Sequence, residues 1–302
     1  GMTISISDGL KYLSKNLTEY QPTCLIGVPL IFDKFKGKIL DEIKKKGMEK
    51  KINTLMGILN FLSHLKIDLR RKLFKKLLEP FGGKLKVIVT GGAAMENDTN
   101  KFYENIGVRV YQGYGLTETS PVVAGGNDHV RKIGTVGNPL PGVKIAVANH
   151  DISGTGELVI KGDNVMLGYW KNEEATKEAI VDGWFRTGDL GSIDKKGIIK
   201  VTGRVKSMIV LNNGKKVFPE ELENYINKVP YVKESLVWGE TTKEGTVEIC
   251  AKIVLDKENI TEVVTSPDDE NAIKKFLDSA VKEINKLMPV YKTIRYYVFG
   301  YE

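Results

Sequence analysis

Residues 184–221 read WFRTGDLGSIDKKGIIKVTGRVKSMIVLNNGKKVFPEE, and this stretch decides how the rest of the chain is read. Val181-Asp182-Gly183-Trp184 and Asp194-Lys195-Lys196-Gly197 have turn chemistry, because glycine takes positive φ at little steric cost and aspartate bonds its own backbone. Residues 198–201 then read as a strand. Gly203-Arg204-Val205-Lys206 follows at once, and 207–211 is a second β-branched run that ends at Asn212-Asn213-Gly214, a strong hairpin signal. Pro219 suits a first helical position, and Glu220 and Glu221 suit the positive end of a helix dipole. Leu222, Tyr225, Ile226 and Val229 continue at helical spacing. A hinge between two domains is expected at 203–206.

Upstream, residues 1–80 read mainly as helices with one apolar strand over 24–28, closed by Pro29. Leu62, Leu65, Leu69, Leu73 and Leu77 form a long apolar stripe that is expected to pack in the core. Residues 84–90 alternate as a strand and feed Gly91-Gly92-Ala93, where a ligand can approach the backbone closely. The strand over 106–111 delivers Gln112-Gly113-Tyr114-Gly115-Leu116-Thr117-Glu118-Thr119-Ser120-Pro121, the most specific short motif of the chain. Gly134 to Gly142, punctuated by Gly and Pro, opens an all-β region with strands expected over 143–147 and 157–161. Ser153-Gly154-Thr155-Gly156 between them lacks the lysine and helix of a phosphate loop and reads as a hairpin turn. Beyond Tyr231 the pattern is α+β, with strands over 235–238, 247–255 and 294–299. Ile273, Phe276, Leu277, Ala280, Val281, Ile284 and Leu287 mark a long amphipathic helix.

WFRTGD, GR-x-K and NGKKVFPEE, preceded in order by PT-x-x-x-x-VP-x-IF at 22–32, GGA at 91–93 and YGLTE at 114–118, resemble the adenylate-forming (AMP-binding) superfamily. Within it the closest likeness is to acyl-CoA synthetases of the long-chain fatty acid CoA ligase type. The resemblance implies an α/β plus β-barrel portion of a large N-terminal domain, followed by a small α+β C-terminal domain. Residues 1–130 would be the partial α/β part of the AMP-binding N-terminal domain, and 131–202 its β-rich, barrel-like part. The hinge would then occupy 203–206 and the small C-terminal domain, truncated at its end, 207–302.

The same resemblance implies roles. Gly91, Gly92 and Ala93 would border the adenine and the acyl pocket. Tyr114 would stack on adenine with Gly115 in the same nucleotide-binding motif, Thr117 would lie at the α-phosphate and Glu118 would ligate magnesium. Asp189 would hold the ribose hydroxyls with help from Arg204, and Lys206 would be the pivot. The implied chemistry is that of an acid–thiol ligase: a carboxylate and ATP give an acyl-adenylate and pyrophosphate, then the CoA thiol gives the thioester and AMP. These residue types suit it. A carboxylate offers about four acceptor sites, enough for two vicinal hydroxyls and a guanidinium, and magnesium takes hard oxygen ligands, including one or two carboxylates. NVMLGY at 164–169 with Trp170 also matches the family and reads as packing. The family's lysine-bearing phosphate loop and its C-terminal lysine have no counterpart here, and Lys292 lies too early. A fragment of a longer enzyme, weak or inactive alone, is expected. Aryl-CoA ligases, amino-acid adenylation domains and a non-catalytic lipid- or partner-binding module of the same fold remain alternatives.

Composition sets outer bounds. With 302 residues, 41% hydrophobic and 27% charged, the chain has room for two domains with ample cores. It contains no apolar run of about eighteen residues that would cross a membrane, and GMTISISDGL has no secretory pattern. Cys24 and Cys250 sit in apolar surroundings and are expected as buried free thiols of a reducing, cytoplasmic setting. The net charge of +7 suits anionic partners such as ATP, CoA or a phospholipid surface, which leaves peripheral membrane contact and oligomeric state open. No basic stripe is interleaved with aromatics, so nucleic acid is excluded as a partner. His64, His129 and His150 lack ligand spacing, and no serine sits in a nucleophile elbow.

Overall fold

Three apolar clusters organise the chain in a computed structural model that describes residues 3–64, 67–257 and 260–301. The first lies among α1 (Leu13–Tyr20), β1 (Cys24–Gly27), α2 (Pro29–Lys45), α3 (Glu49–His64), β2 (Val87–Thr90), α5 (Asn97–Asn105) and β3 (Arg109–Tyr114), with the single turn α4 (Arg70–Leu73) beside it. β4 (Ala124–Gly125) and β5 (Asn138–Pro139) continue the sheet, and Ala124 belongs to the second cluster. The strands form one sheet in that order, parallel from β1 to β3 and antiparallel from β3 to β5. Pro29 starts α2, where its missing N–H costs nothing. The rings of Phe32 and Phe81 stand edge-on to Tyr103 at 6.0 and 5.9 Å. The Tyr103 hydroxyl donates to the Phe32 carbonyl at 2.8 Å, so the one polar atom of this cluster is satisfied.

Two expectations fail here. The leucines from 62 to 77 are not one stripe, because α3 ends at His64, α4 is a single turn and a 3₁₀ segment follows over Lys75–Phe81. Leu62 and Leu77 pack against the core, whereas Leu69 and Leu73 face solvent, and Leu65 lies outside the described residues. Cys24 is exposed, not buried, because β1 is the edge strand of its sheet. Cys250 is buried, as expected.

The second cluster, Ala124 with Leu158 and Ile199, packs against β6 (Lys144–Ala148), β7 (Gly156–Lys161), β9 (Trp184–Ile193) and β10 (Ile199–Arg204), with α6 (Glu173–Ala179) and β8 (Ile180–Val181) beside them in sequence. They form an antiparallel sheet in the order β10-β9-β7-β6, with β8 on β9. β9 is long although its glycines speak against a strand. Its register shifts against β7 between Glu157 and Val159, and Gly188 takes φ +69° inside that bulge.

The third unit comprises β11 (Ile209–Val210), β12 (Lys216–Val217), α7 (Pro219–Ile226), β13 (Val232–Thr241), β14 (Val247–Leu255), α8 (Glu270–Lys286) and β15 (Ile294–Gly300). Gly214 closes the β11–β12 hairpin with φ +75°, a conformation that only glycine adopts without strain. β14 pairs antiparallel with β13 and parallel with β15. Asp269 caps α8 by accepting from the Ala272 amide at 3.0 Å, and Ile273, Leu277, Val281 and Ile284 bury one face of that helix. Lys228 reaches Glu96 at 3.1 Å and Lys216 reaches Asp151 at 3.8 Å, so this unit rests on the other two.

Candidate active site

The C-terminal ends of the parallel strands β2 and β3 deliver Gly91 and Tyr114 to one opening, which is where open α/β sheets present ligand sites. A cavity of about 950 Å³ lies there, walled by Gly91, Gly92, Tyr114, Gly115, Thr117, Glu118, Arg204 and Lys206 among others. Residues 114, 118 and 204, far apart in sequence, thus meet at one place. Ala93 is exposed and does not line the cavity. Asp189 is buried at 7% exposure directly behind the wall.

The Asp189 carboxylate is the most constrained group of the site. Arg204 on β10 is its cross-strand partner on β9, and the guanidinium Nε donates to Asp189 Oδ1 at 3.1 Å. The Tyr114 hydroxyl donates to Asp189 Oδ2 at 2.8 Å. Burial raises the Tyr114 pKa far above the usual phenol value, with the Asp189 charge adding to it, so Tyr114 stays a donor. Two oxygens with one bond each leave acceptor capacity toward a ligand.

The turn after β3 presents the residues of its motif to different sides. Thr117 is exposed at the cavity, Glu118 is half-buried and Thr119 is fully buried. Thr119 Oγ1 accepts from the Leu116 amide at 3.0 Å and donates to the Leu116 carbonyl at 2.9 Å, which locks the turn. Lys206 stands at the turn after β10. The Val205 amide donates to the Gly188 carbonyl at 2.8 Å and the Met208 amide to the Arg204 carbonyl at 3.1 Å.

Residues 1–170 match the sequence pattern of the AMP-binding enzymes, and residues 206–298 match that of the AMP-binding enzyme C-terminal domain. The chain belongs to the AMP-binding enzyme family. The long-chain-fatty-acid–CoA ligase FadD15 of Mycobacterium bovis is 32% identical over 97% of this chain and 52% of its own length. An ATP-bound RpMatB–BxBclM chimera has a similar structure with a TM-score of 0.66 at 25% identity, over 97% of this chain and 49% of that one. The o-succinylbenzoate CoA synthetase of Bacillus subtilis, solved with its acyl-adenylate intermediate, gives 0.60 at 25% identity over 72% of this chain and 43% of that one. The chain spans about half the length of the curated relatives it matches.

In this AMP-binding chain the tertiary structure adds residues that the motifs did not single out. Glu157 on β7 is buried and accepts from Arg186 Nη2 at 2.6 Å and from the Gly188 amide at 3.1 Å, which fixes the bulge that aims Asp189. The Thr187 hydroxyl donates to the Leu158 carbonyl at 2.7 Å and accepts from the Asp189 amide at 3.0 Å. A second strut corrects the reading of 164–170 as packing. Leu167 and Trp170 are exposed, and the segment acts through hydrogen bonds instead. Asn164 Nδ2 donates to the Thr119 carbonyl, and the Met166 amide to the Glu118 carbonyl, both at 2.8 Å. The Tyr169 hydroxyl donates to Glu118 Oε1 at 3.0 Å. Acceptors this far off in sequence leave no local signal, apart from a glycine at 188 inside a strand, which suggests a bulge.

Magnesium is the metal that the family implies, and the donor set fits it. Glu118 is the acidic side chain among the described cavity-lining residues, and a hard divalent cation held mainly by phosphate and water needs one or two carboxylates from the protein. Among the described residues there is no group of three or more His, Cys, Asp and Glu that would hold a metal by protein ligands alone.

Proposed function

We propose that this chain carries the nucleotide- and acyl-activating centre of an ATP-dependent carboxylate–CoA ligase, with long-chain fatty acids as the substrate class. The observation that carries the reading is the buried Asp189 carboxylate, braced by Tyr114 and Arg204 at the wall of a cavity that also holds Thr117, Glu118 and Lys206. Asp189 accepts the ribose hydroxyls, and Arg204 orients it. The Tyr114 ring lies against adenine, and the backbone of Gly91 and Gly92 lets the acyl-adenylate approach closely. Thr117 bonds the α-phosphate, where the substrate carboxylate attacks and pyrophosphate leaves. The CoA thiol then attacks the acyl carbon and AMP leaves. Magnesium, when bound, offsets charge on the phosphate oxygens, and Glu118 is the residue that holds it. Lys206 is the pivot about which the C-terminal unit turns between the two half-reactions. FadD15, named as a long-chain-fatty-acid–CoA ligase, supports the choice of acid.

Carboxylate-dependent exchange of pyrophosphate into ATP tests the reading, measured on this chain and on a version extended to the length of its relatives. Exchange that requires long-chain acids is the expected result for the extended version, with little or none from this chain alone. Exchange with aromatic acids alone would replace the substrate class, and none with any acid from the extended version would favour a non-catalytic binding module. A second measurement addresses the Glu118 strut. Tyr169→Phe removes one hydrogen bond that water can partly replace, so manganese binding in the presence of ATP, read by electron paramagnetic resonance, is expected to weaken about two- to tenfold. Unchanged binding would leave Tyr169 without a positioning role.

A further inference from the structure

Positive charge is uneven along the chain. Residues 29–86 contain 16 Lys and Arg against 6 Asp and Glu, a net of +10, while the whole chain carries +7. This segment covers α2, α3, α4 and the approach to β2, and its inner face is committed to the core through Ile39, Ile43, Ile52, Met56, Leu59 and Phe74. A second apolar set points outward. Ile58 and Phe61, one turn apart on α3, are 53% and 68% exposed, and Ile67, Leu69 and Leu73 are 49%, 42% and 52% exposed.

These five side chains belong to one corner of the molecule. The Ile67 amide donates to the Leu62 carbonyl at 3.1 Å, which sets Ile67 near the turn that bears Phe61. α4 packs on α3, and Leu69 and Leu73, four residues apart, share one side of it. Lys72, Lys75 and Lys76 are exposed and interleave with this apolar set. Arg70 and Arg71 are engaged elsewhere, with Asp68 and the Glu104 carbonyl and with the Leu85 carbonyl. Single exposed aliphatics are ordinary, but a cluster ringed by lysines marks an interaction surface.

We propose that the α3–α4 corner docks on an anionic lipid bilayer, with Ile58, Phe61, Ile67, Leu69 and Leu73 entering the headgroup–acyl boundary and Lys72, Lys75 and Lys76 meeting lipid phosphates. The pairing of aliphatic depth with a lysine rim is what such a surface recognises. Nucleic acid would use the lysines and leave the aliphatic groups without a role. The inference stands on charge and exposure and does not depend on the nucleotide site.

Vesicle flotation of the 302-residue chain tests it, with phosphatidylcholine vesicles that contain or lack about 30% phosphatidylserine. Binding is expected only to the anionic vesicles, with release at about 0.5 M salt. The triple variant Lys72→Gln, Lys75→Gln, Lys76→Gln is expected to weaken binding about a hundredfold, from about fivefold per lysine. Ile58→Ser with Phe61→Ser should weaken it at least about tenfold. These positions are exposed, so thermal unfolding should not change. Phe61→Trp on the otherwise native chain gives an independent readout, a blue shift of emission on vesicle addition. Equal flotation with and without phosphatidylserine, or no effect of either variant and no blue shift, would overturn the proposal. So would self-association in sedimentation velocity that both variants abolish, since the occupant would then be a second copy.

Discussion

Replacing Gly115 by alanine is expected to destabilise the N-terminal unit by about 3 kcal/mol or more, although it adds a single methyl group. The chain leaves β3 at Tyr114, makes the locked turn over Thr117–Thr119 and returns as β4, with the Val123 amide donating to the Tyr114 carbonyl at 2.8 Å. That return lays Pro121 directly over Gly115. A Cβ at 115 would overlap the Pro121 carbonyl oxygen and stand 2.8 Å from both the Pro121 carbonyl carbon and Val122 Cα. Pro121 and Val122 lie between the locked turn and the Val123–Tyr114 hydrogen bond, so their backbone atoms cannot turn aside as a flexible side chain can. Gly125→Ala is the matched control, because nothing lies within 4 Å of a Cβ there, and its effect should stay within about 0.5 kcal/mol. Urea unfolding by circular dichroism, with hydrogen exchange at the Val123 amide, measures both. An unchanged midpoint and unchanged protection in Gly115→Ala would mean that the Pro121 segment yields freely.

Asp189→Ala is expected to weaken ATP binding about tenfold to a hundredfold, from the loss of one or two charge-assisted hydrogen bonds of roughly 1.5–3 kcal/mol before water replaces them. The structure adds a reason beyond contact with the ligand. Without the carboxylate, the Tyr114 hydroxyl loses its acceptor and Arg204 its cross-strand partner, so two walls of the cavity lose their anchor together. Asp189→Asn keeps the shape and removes the charge. It is therefore expected to fall between wild type and alanine. Titration calorimetry with ATP gives the ranking, and equal affinities for all three proteins would remove Asp189 from the nucleotide site.

Much of this architecture was legible in the chain because it is written in neighbouring residues. Pro219 with its two glutamates starts α7, and Asn212-Asn213-Gly214 closes the β11–β12 hairpin, each through contacts within a few positions. YGLTE, RTGD and GR-x-K gave Tyr114 to Glu118, Arg186 to Gly188, Arg204 and Lys206 of the cavity wall for the same reason, since a motif keeps its residues close in sequence. Exposure was not legible in that way. Cys24 and the leucines at 69 and 73 look like core residues, yet one lies on an edge strand and the others on an outer face, because burial depends on what packs against a segment. Nor could local pattern show that Tyr169 holds Glu118 across 51 positions, or that Glu157 shapes the bulge behind Asp189. By itself the sequence determined the turns, caps, helix and strand periods and the residues of the cavity motifs. Only the tertiary structure decided which side chains are covered and which distant partners hold the site, because those contacts exist only once separate segments are packed together.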